Sequence, residues 1–277
     1  MTCRIISEVT YLGIVESTQD IAKAHARQLV LSDPPLKSPR HIYVAESQTH
    51  GRGQHGRNWI SPEGGIYLIG VFADIPQKMH RYLPLIIGLA IARTLMWPEV
   101  VSNWTPARRK QAVGSTSVHL RWPNDVLFNG RKIAGVLSES ITMGDRAVAV
   151  VGAGMNVNAD PAASDSALSH TATSLAGELG AAVDKVKVTN ALLHQMEECI
   201  GALANQHWPH LHREICQLDF LRGREITVSV NDQCISGTGA GIADDGALLL
   251  ALPLHREPQC IYAGTILSVD NRSIRGG

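Results

Sequence analysis

The chain has 277 residues, 44% of them hydrophobic and 18% charged, enough for two domains or one large one with an appendage around a substantial core. Its formal net charge is zero with the histidines neutral, which excludes a global field drawing it to nucleic acid or membrane, so any anion binding must come from a local patch. The first residues lack the basic and apolar regions of a signal peptide, and the longest apolar run, 83–92, is too short for a bilayer. Five widely spaced cysteines without a C-x-x-C argue against a disulfide framework and a zinc site, so a cytoplasmic setting is expected.

In chain order, Tyr11 to Val15 reads as a short strand. Ser17 then stands as an N-cap, with Asp20 suiting the start of a helix that runs from Gln19 towards Val30. Thr18 and Gln19 either belong to an ordinary helix start or turn polar groups into a pocket. Residues 33–39 carry three prolines and read as a surface loop. A strand over 41–45, with Glu46, Ser47 and Gln48 at its end, feeds Gly51-Arg52-Gly53-Gln54-His55-Gly56-Arg57-Asn58-Trp59. This stretch has three glycines, two arginines and no acid. Glycines let a backbone approach a ligand closely, and arginines offer a fixed fork of donors, so the loop is suited to wrapping an anion. An exposed basic turn is the alternative.

The G-x-G-x-x-G spacing at 51, 53 and 56 does not carry a dinucleotide reading, because Pro62 follows where a helix should open. A kinase-type loop wants an apolar residue where Asn58 stands, and no G-x-x-x-x-G-K-[ST] occurs. Beyond the loop, 65–72 reads as a buried strand and 82–97 as a helix stopped by Pro98. Residues 99–117 read as a long loop whose Arg108-Arg109-Lys110 run is a solvated face. Pro123-Asn124-Asp125 makes a turn between apolar runs, and Asn129-Gly130 makes another. In the strand over 131–139, Lys132 has small and apolar neighbours, and Gly135 hints at close approach of a ligand or backbone. An edge-strand lysine is the plainer alternative. A β-branched run over 148–151 leads into Gly152, Gly154, Asn156 and Asn158, which either place amides over a ligand or form an ordinary strand end. Helices are expected over 171–179 and over 189–206, the second capped by Thr189. From about 219 the chain turns to short strands, with Asp244-Asp245-Gly246 as a hairpin turn, which suggests a small β-barrel.

Four ordered motifs resemble the biotin–protein ligase family. The 51–59 loop is similar to its GRGRRGRxW loop, Arg121-Trp122-Pro123-Asn124-Asp125 to its KWPND box, Lys132-Ile133-Ala134-Gly135-Val136-Leu137 to its KIAGIL strand, and Gly154-Met155-Asn156-Val157-Asn158 to its GINVN turn. The resemblance runs from about Val15 to about Val269. It implies an α+β fold, a mixed β-sheet with helices packed against it, as a catalytic domain over 1–218. A small C-terminal SH3-like β-barrel over 219–277 would follow.

The implied chemistry joins biotin to ATP as biotinyl-5'-adenylate, with Mg²⁺, and then to a lysine of a biotin carboxyl carrier protein or carrier domain. The resemblance implies biotin contacts from Ser17, Thr18, Gln19, Gln48, Gly51, Arg52, Gly53, Gln54, Lys132 and Gly135. It implies adenylate contacts from Arg52, Gly53, Gln54, Arg57, Trp59, Asn124, Lys132 and Asn156. Lys132 and Arg52 would neutralise the two anions, and Asp125 would act as a base in transfer or as a metal ligand. Gln54 and His55 replace family arginines, which implies a looser hold on the adenylate. Ser17 lies so near the start that no DNA-binding domain, and no DNA partner, is expected; a homodimer is left open. The competing readings are a lipoate or octanoate ligase and a non-catalytic biotin or nucleotide sensor.

Overall fold

The structure, a computed structural model, describes residues 6, 8–32, 40–97, 100 and 118–273. The expected loops over 33–39 and 99–117 lie outside these residues apart from Val100. Seven strands form one sheet: β1 (Glu8–Val15), β2 (His41–Gln48), β3 (Ile66–Phe72), β4 (Val118–Arg121), β5 (Asp125–Phe128), β6 (Arg131–Met143) and β7 (Arg146–Met155). Their order is β1-β2-β3-β7-β6-β5-β4. β1 and β2 pair in parallel and the other neighbours are antiparallel, so the sheet is mixed as expected. α1 (Thr18–Leu31) is the crossover that a parallel pair requires.

Both faces of the sheet centre are covered, which is why β3 is a continuous apolar run buried at every position. On one face α1 buries Ala22, Ala26, Leu29 and Val30 against Ile69, Val71, Val148 and Val150. On the other, α2 (Leu83–Met96) is buried along most of its length, with α5 (Lys185–Ala204) and α6 (Trp208–Gln217) packed behind it. Two short helices, α3 (Pro161–Ser164) and α4 (Leu175–Leu179), follow β7.

Two helix boundaries differ from the sequence reading. Only Leu175–Leu179 of the expected 171–179 helix is α-helical, because Ser174 accepts the Gly177 N–H and caps it there. α5 starts earlier than expected: Asp184 accepts the Val186 and Lys187 N–H groups, whereas Thr189 lies inside the helix and donates to the Lys185 carbonyl. We expect Asp184→Ala to lower the unfolding free energy by about 1 kcal/mol in urea titrations. A change at Thr189 would act through packing instead. α6, with Trp208, Leu211 and Ile215 buried at helical spacing, has no counterpart in the sequence reading.

The C-terminal strands, β8 (Glu225–Val230), β9 (Gln233–Ile242), β10 (Leu248–Ala251), β11 (Gln259–Ile261), β12 (Thr265–Val269) and β13 (Arg272–Ser273), form a second, antiparallel sheet. Its order is β11-β10-β9-β8-β12-β13, which does not close into a ring among the described residues. One apolar core runs through both sheets. The Trp122 indole, at the tip between β4 and β5, donates to the Gly246 carbonyl at 3.1 Å and ties the second sheet to the first.

Candidate active site

The site follows from a change of side-chain size along β7. Val148 and Val150 face α1; two and four residues further on, the same face carries Gly152, against Gln19 in the helix's first turn, and Gly154. Gly154 pairs with Gly135 on β6, so two facing glycines leave a bare floor. The Trp59 indole lies on it. A Cβ at Gly154 would come within 2.5 Å of the indole nitrogen, and one at Gly135 within 3.1 Å of the ring. That nitrogen is buried without a hydrogen-bond partner among the described residues. The Lys132 ammonium stands 5.1 Å from the ring centroid, a cation over an aromatic face.

Trp59 ends a ribbon. Its N–H donates to the Gly51 carbonyl at 2.8 Å, Gly53 N–H donates to the Arg57 carbonyl at 2.7 Å, and Gln54–Gly56 turn at the tip. Gly51 has no alternative, because a Cβ there would meet the Trp59 carbonyl at 2.4 Å. The ribbon's root is stitched to the end of β1 and the link before α1: Thr49 and His50 donate to the Val15 and Glu16 carbonyls. Gln48 receives the Thr18 N–H at 2.8 Å and hydroxyl at 2.9 Å, and donates to Ser61 at 2.9 Å.

Ribbon, floor and α1 enclose a cavity lined by Thr18, Gln19, Gln48, Arg52, Gly53, Gln54, Arg57, Trp59, Asn124, Asp125, Lys132 and Gly135, all expected from the sequence. Asn156 lines a second hollow that shares Arg57, Trp59 and Lys132 with the first. Two other expected residues line neither hollow. Ser17 is buried as the cap of α1, accepting the Gln19 N–H at 3.2 Å, and Gly51 is in the ribbon's stem. Gly152 and Gly154, which the sequence offered either as a turn over a ligand or as an ordinary strand end, also line the cavity, as do Tyr67 and the Gly264–Ile266 segment, which sequence reasoning missed. The last brings the second sheet to the site. Also missed was Glu139, which receives Gln19 at 2.9 Å and Lys23 at 2.5 Å, fixing the polar start of α1 to β6.

At one end the cations gather. Asp125 Oδ1 lies 2.8 Å from the Lys132 ammonium, and Oδ2 accepts from Arg121 at 2.6 Å, all three side chains being largely buried. Burial disfavours the ionised carboxyl, but Lys132 and then Arg121 outweigh it and hold Asp125 below the usual carboxylate range. This speaks against Asp125 as a base, because a carboxylate stabilised in its charged form accepts a proton poorly. It also speaks against a metal ligand, because both oxygens are engaged. Among the described residues no group of three or more His, Cys, Asp or Glu side chains could hold an ion. Asn124, for its part, donates to the Val136 carbonyl at 2.7 Å and holds the β4–β5 tip against β6.

The Asp125 pairing has a pH signature. The unfolded carboxyl, near about pKa 3.9, binds protons that the folded one refuses, so stability rises with pH across that window. The contribution is complete above the unfolded value and lost as pH falls through the lower folded one. In Asp125→Asn, acid unfolding followed by circular dichroism should lose that part of its slope, and the protein should be less stable at neutral pH, where two buried cations lack their partner.

A glycine ribbon over a cavity whose end holds a buried lysine and arginine defines a site for activating an anionic substrate. The chain belongs to the Biotin/lipoate A/B protein ligase family, which it matches over residues 14–156. It is 30% identical over 213 residues to the biotin–[acetyl-CoA-carboxylase] ligase of Mycobacterium tuberculosis, covering 76% of this chain and 72% of that one. It is also 30% identical over 246 residues to the bifunctional ligase/repressor BirA of Escherichia coli, covering 87% of this chain and 68% of the relative. Among solved structures, the biotin protein ligase of Aquifex aeolicus in complex with biotin and ATP has a TM-score of 0.70 and 25% identity, covering 96% of this chain and 99% of that one. The chain is a ligase with the biotin protein ligase fold.

Proposed function

We propose that the chain activates biotin with ATP as biotinyl-5'-adenylate and transfers the biotinyl group to a lysine of a biotin carboxyl carrier domain. The observation that carries this reading is the placement of Lys132, buried and paired with Asp125, between the glycine floor and the ribbon. Both reactants of the first step are anions. The biotin carboxylate attacks the α-phosphorus, and the bond to the β-phosphate oxygen breaks to release pyrophosphate. Lys132, with Arg52 and Arg57 from the ribbon, supplies positive charge where that negative charge accumulates, without a protein nucleophile. Mg²⁺ would come with the nucleotide phosphates rather than from a protein cage.

In the second step the lysine amine attacks the carbonyl of the mixed anhydride, and AMP leaves. Asp125 acts here by holding Lys132 and Arg121 in place. Thr18, Gln19 and Gln48, fixed to Ser61 and Glu139, are the polar contacts for biotin, and the hollow at Asn156 takes the nucleotide side. Among the described residues no helix is long and apolar enough to cross a membrane; the cytoplasmic setting we propose rests on the scattered cysteines.

Substrate-dependent exchange of labelled pyrophosphate into ATP tests the reading. Exchange with biotin and none with lipoate or octanoate is expected. Exchange driven by the fatty acids alone would assign the site to the other branch of the family.

A further inference from the structure

Arg52 and Asp20 form a strap between the ribbon and the first turn of α1. Arg52 Nε donates to Asp20 Oδ1 at 3.1 Å and Nη2 donates to Oδ2 at 2.8 Å. A guanidinium offers its donors along two edges. Asp20 occupies the side edge, Nε with Nη2, and leaves the end edge, Nη1 with Nη2, for another anion. Arg52 lines the main cavity while it makes this pair. The other ties of this region lie below the glycine segment, at the ribbon's root: the Gln48 side chain to Thr18, and the Thr49 and His50 N–H groups to the Val15 and Glu16 carbonyls. Within the glycine segment, the Arg52–Asp20 pair is a side-chain link that holds the ribbon's own arginine across the mouth.

We propose that Asp20 is a positioning residue for the adenylation step: it grips Arg52 by its side edge, so that the ribbon stays against α1 and the free edge meets the ligand's negative charge. This rests on the ligase reading of the cavity. The Arg52 and Asp20 side chains are 53% and 48% exposed, so salt weakens the strap and its effect is moderate. Binding an anion does not require Asp20 to let go. The strap and the ligand share one guanidinium, each on its own edge.

The test measures single-turnover biotinyl-adenylate formation and adenylate release in the wild type, Asp20→Asn, Arg52→Lys and the double variant, each at low and high salt. Wild-type formation of adenylate establishes the reading beneath the proposal; its absence would overturn both. Given adenylate, Asp20→Asn should form it severalfold more slowly and release it severalfold faster at low salt. Raising the salt should accelerate release from the wild type more than from Asp20→Asn. In the Arg52→Lys background, where an ammonium cannot bridge two anions through separate edges, Asp20→Asn should have little further effect. An effect arising only from the charge at the start of α1 would persist in that background and would overturn the proposal. So would rates for Asp20→Asn equal to wild type at low salt.

Discussion

Replacing Lys132 with methionine should slow biotinyl-adenylate formation by about 10²- to 10³-fold, the range for removing one preorganised charge-stabilising donor from a water-poor site. The side chain is 11% exposed, and its ammonium sits 2.8 Å from Asp125 and over the Trp59 ring. Arg52, by contrast, is held at the exposed mouth, and Arg121, equally buried, commits Nε and Nη2 to Asp125. Methionine keeps most of the side chain's volume, so packing on Gly135 and Trp59 survives. Asp125 keeps Arg121, so the fold should lose only about 1–3 kcal/mol. Single-turnover formation, measured beside thermal unfolding, separates the two effects. A loss of less than about threefold in a folded variant would remove Lys132 from the chemistry.

The second large effect comes from a methyl group. In Gly154→Ala the new carbon would lie 2.5 Å from the Trp59 indole nitrogen and 2.6 Å from Cε2, so the ring must lift off its floor. The ring is the anchored end of the ribbon. Its main chain is bonded to Gly51, so the displacement carries into the segment that closes the cavity. Overpacking of this kind costs about 1–3 kcal/mol, and adenylate should escape roughly tenfold faster. Gly135→Ala, with its closest approach to the ring at 3.1 Å, should show the same change in weaker form. Hydrogen exchange over 51–59 should quicken in the same order. Equal adenylate release from both variants and the wild type would mean that the glycine floor does not hold the ribbon.

Much of this site was legible from the order of residues. The glycine loop, the Pro-Asn-Asp turn and the out-of-place lysine each broke a local pattern, and such breaks are where sites are found. The glycines of β7 were visible too, but as a turn after the strand, with a ligand role and an ordinary strand end left equally open. In the structure Val148, Val150, Gly152 and Gly154 are one face of one strand, and only the length of α1 decides where packing ends and cavity begins. Ser17 shows the reverse: a serine before a helix fits both a cap and a ligand contact, and its buried bond to the Gln19 N–H gives it the first role.

The surroundings of Asp125 were out of view for a related reason. Its neighbours in sequence are Asn124 and Val126, whereas its electrostatics are set by Arg121 across the turn and Lys132 on the next strand. The arrival of Gly264–Ile266 at the cavity was invisible because it depends on how the second sheet docks, through contacts such as Trp122 to Gly246. The small antiparallel C-terminal unit was expected, and its strand order among the described residues is consistent with an SH3-like domain. Hairpin turns and short alternating strands specify antiparallel pairing, but closure depends on which edges finally meet.

The most direct test of the central claim is mass analysis of what the protein retains after incubation with biotin, ATP and Mg²⁺, followed by addition of a biotin carboxyl carrier domain. Retained biotinyl-5'-adenylate, released as AMP when the carrier gains one biotinyl group, is the predicted result. Biotin bound beside intact ATP, with the carrier unchanged, would contradict it.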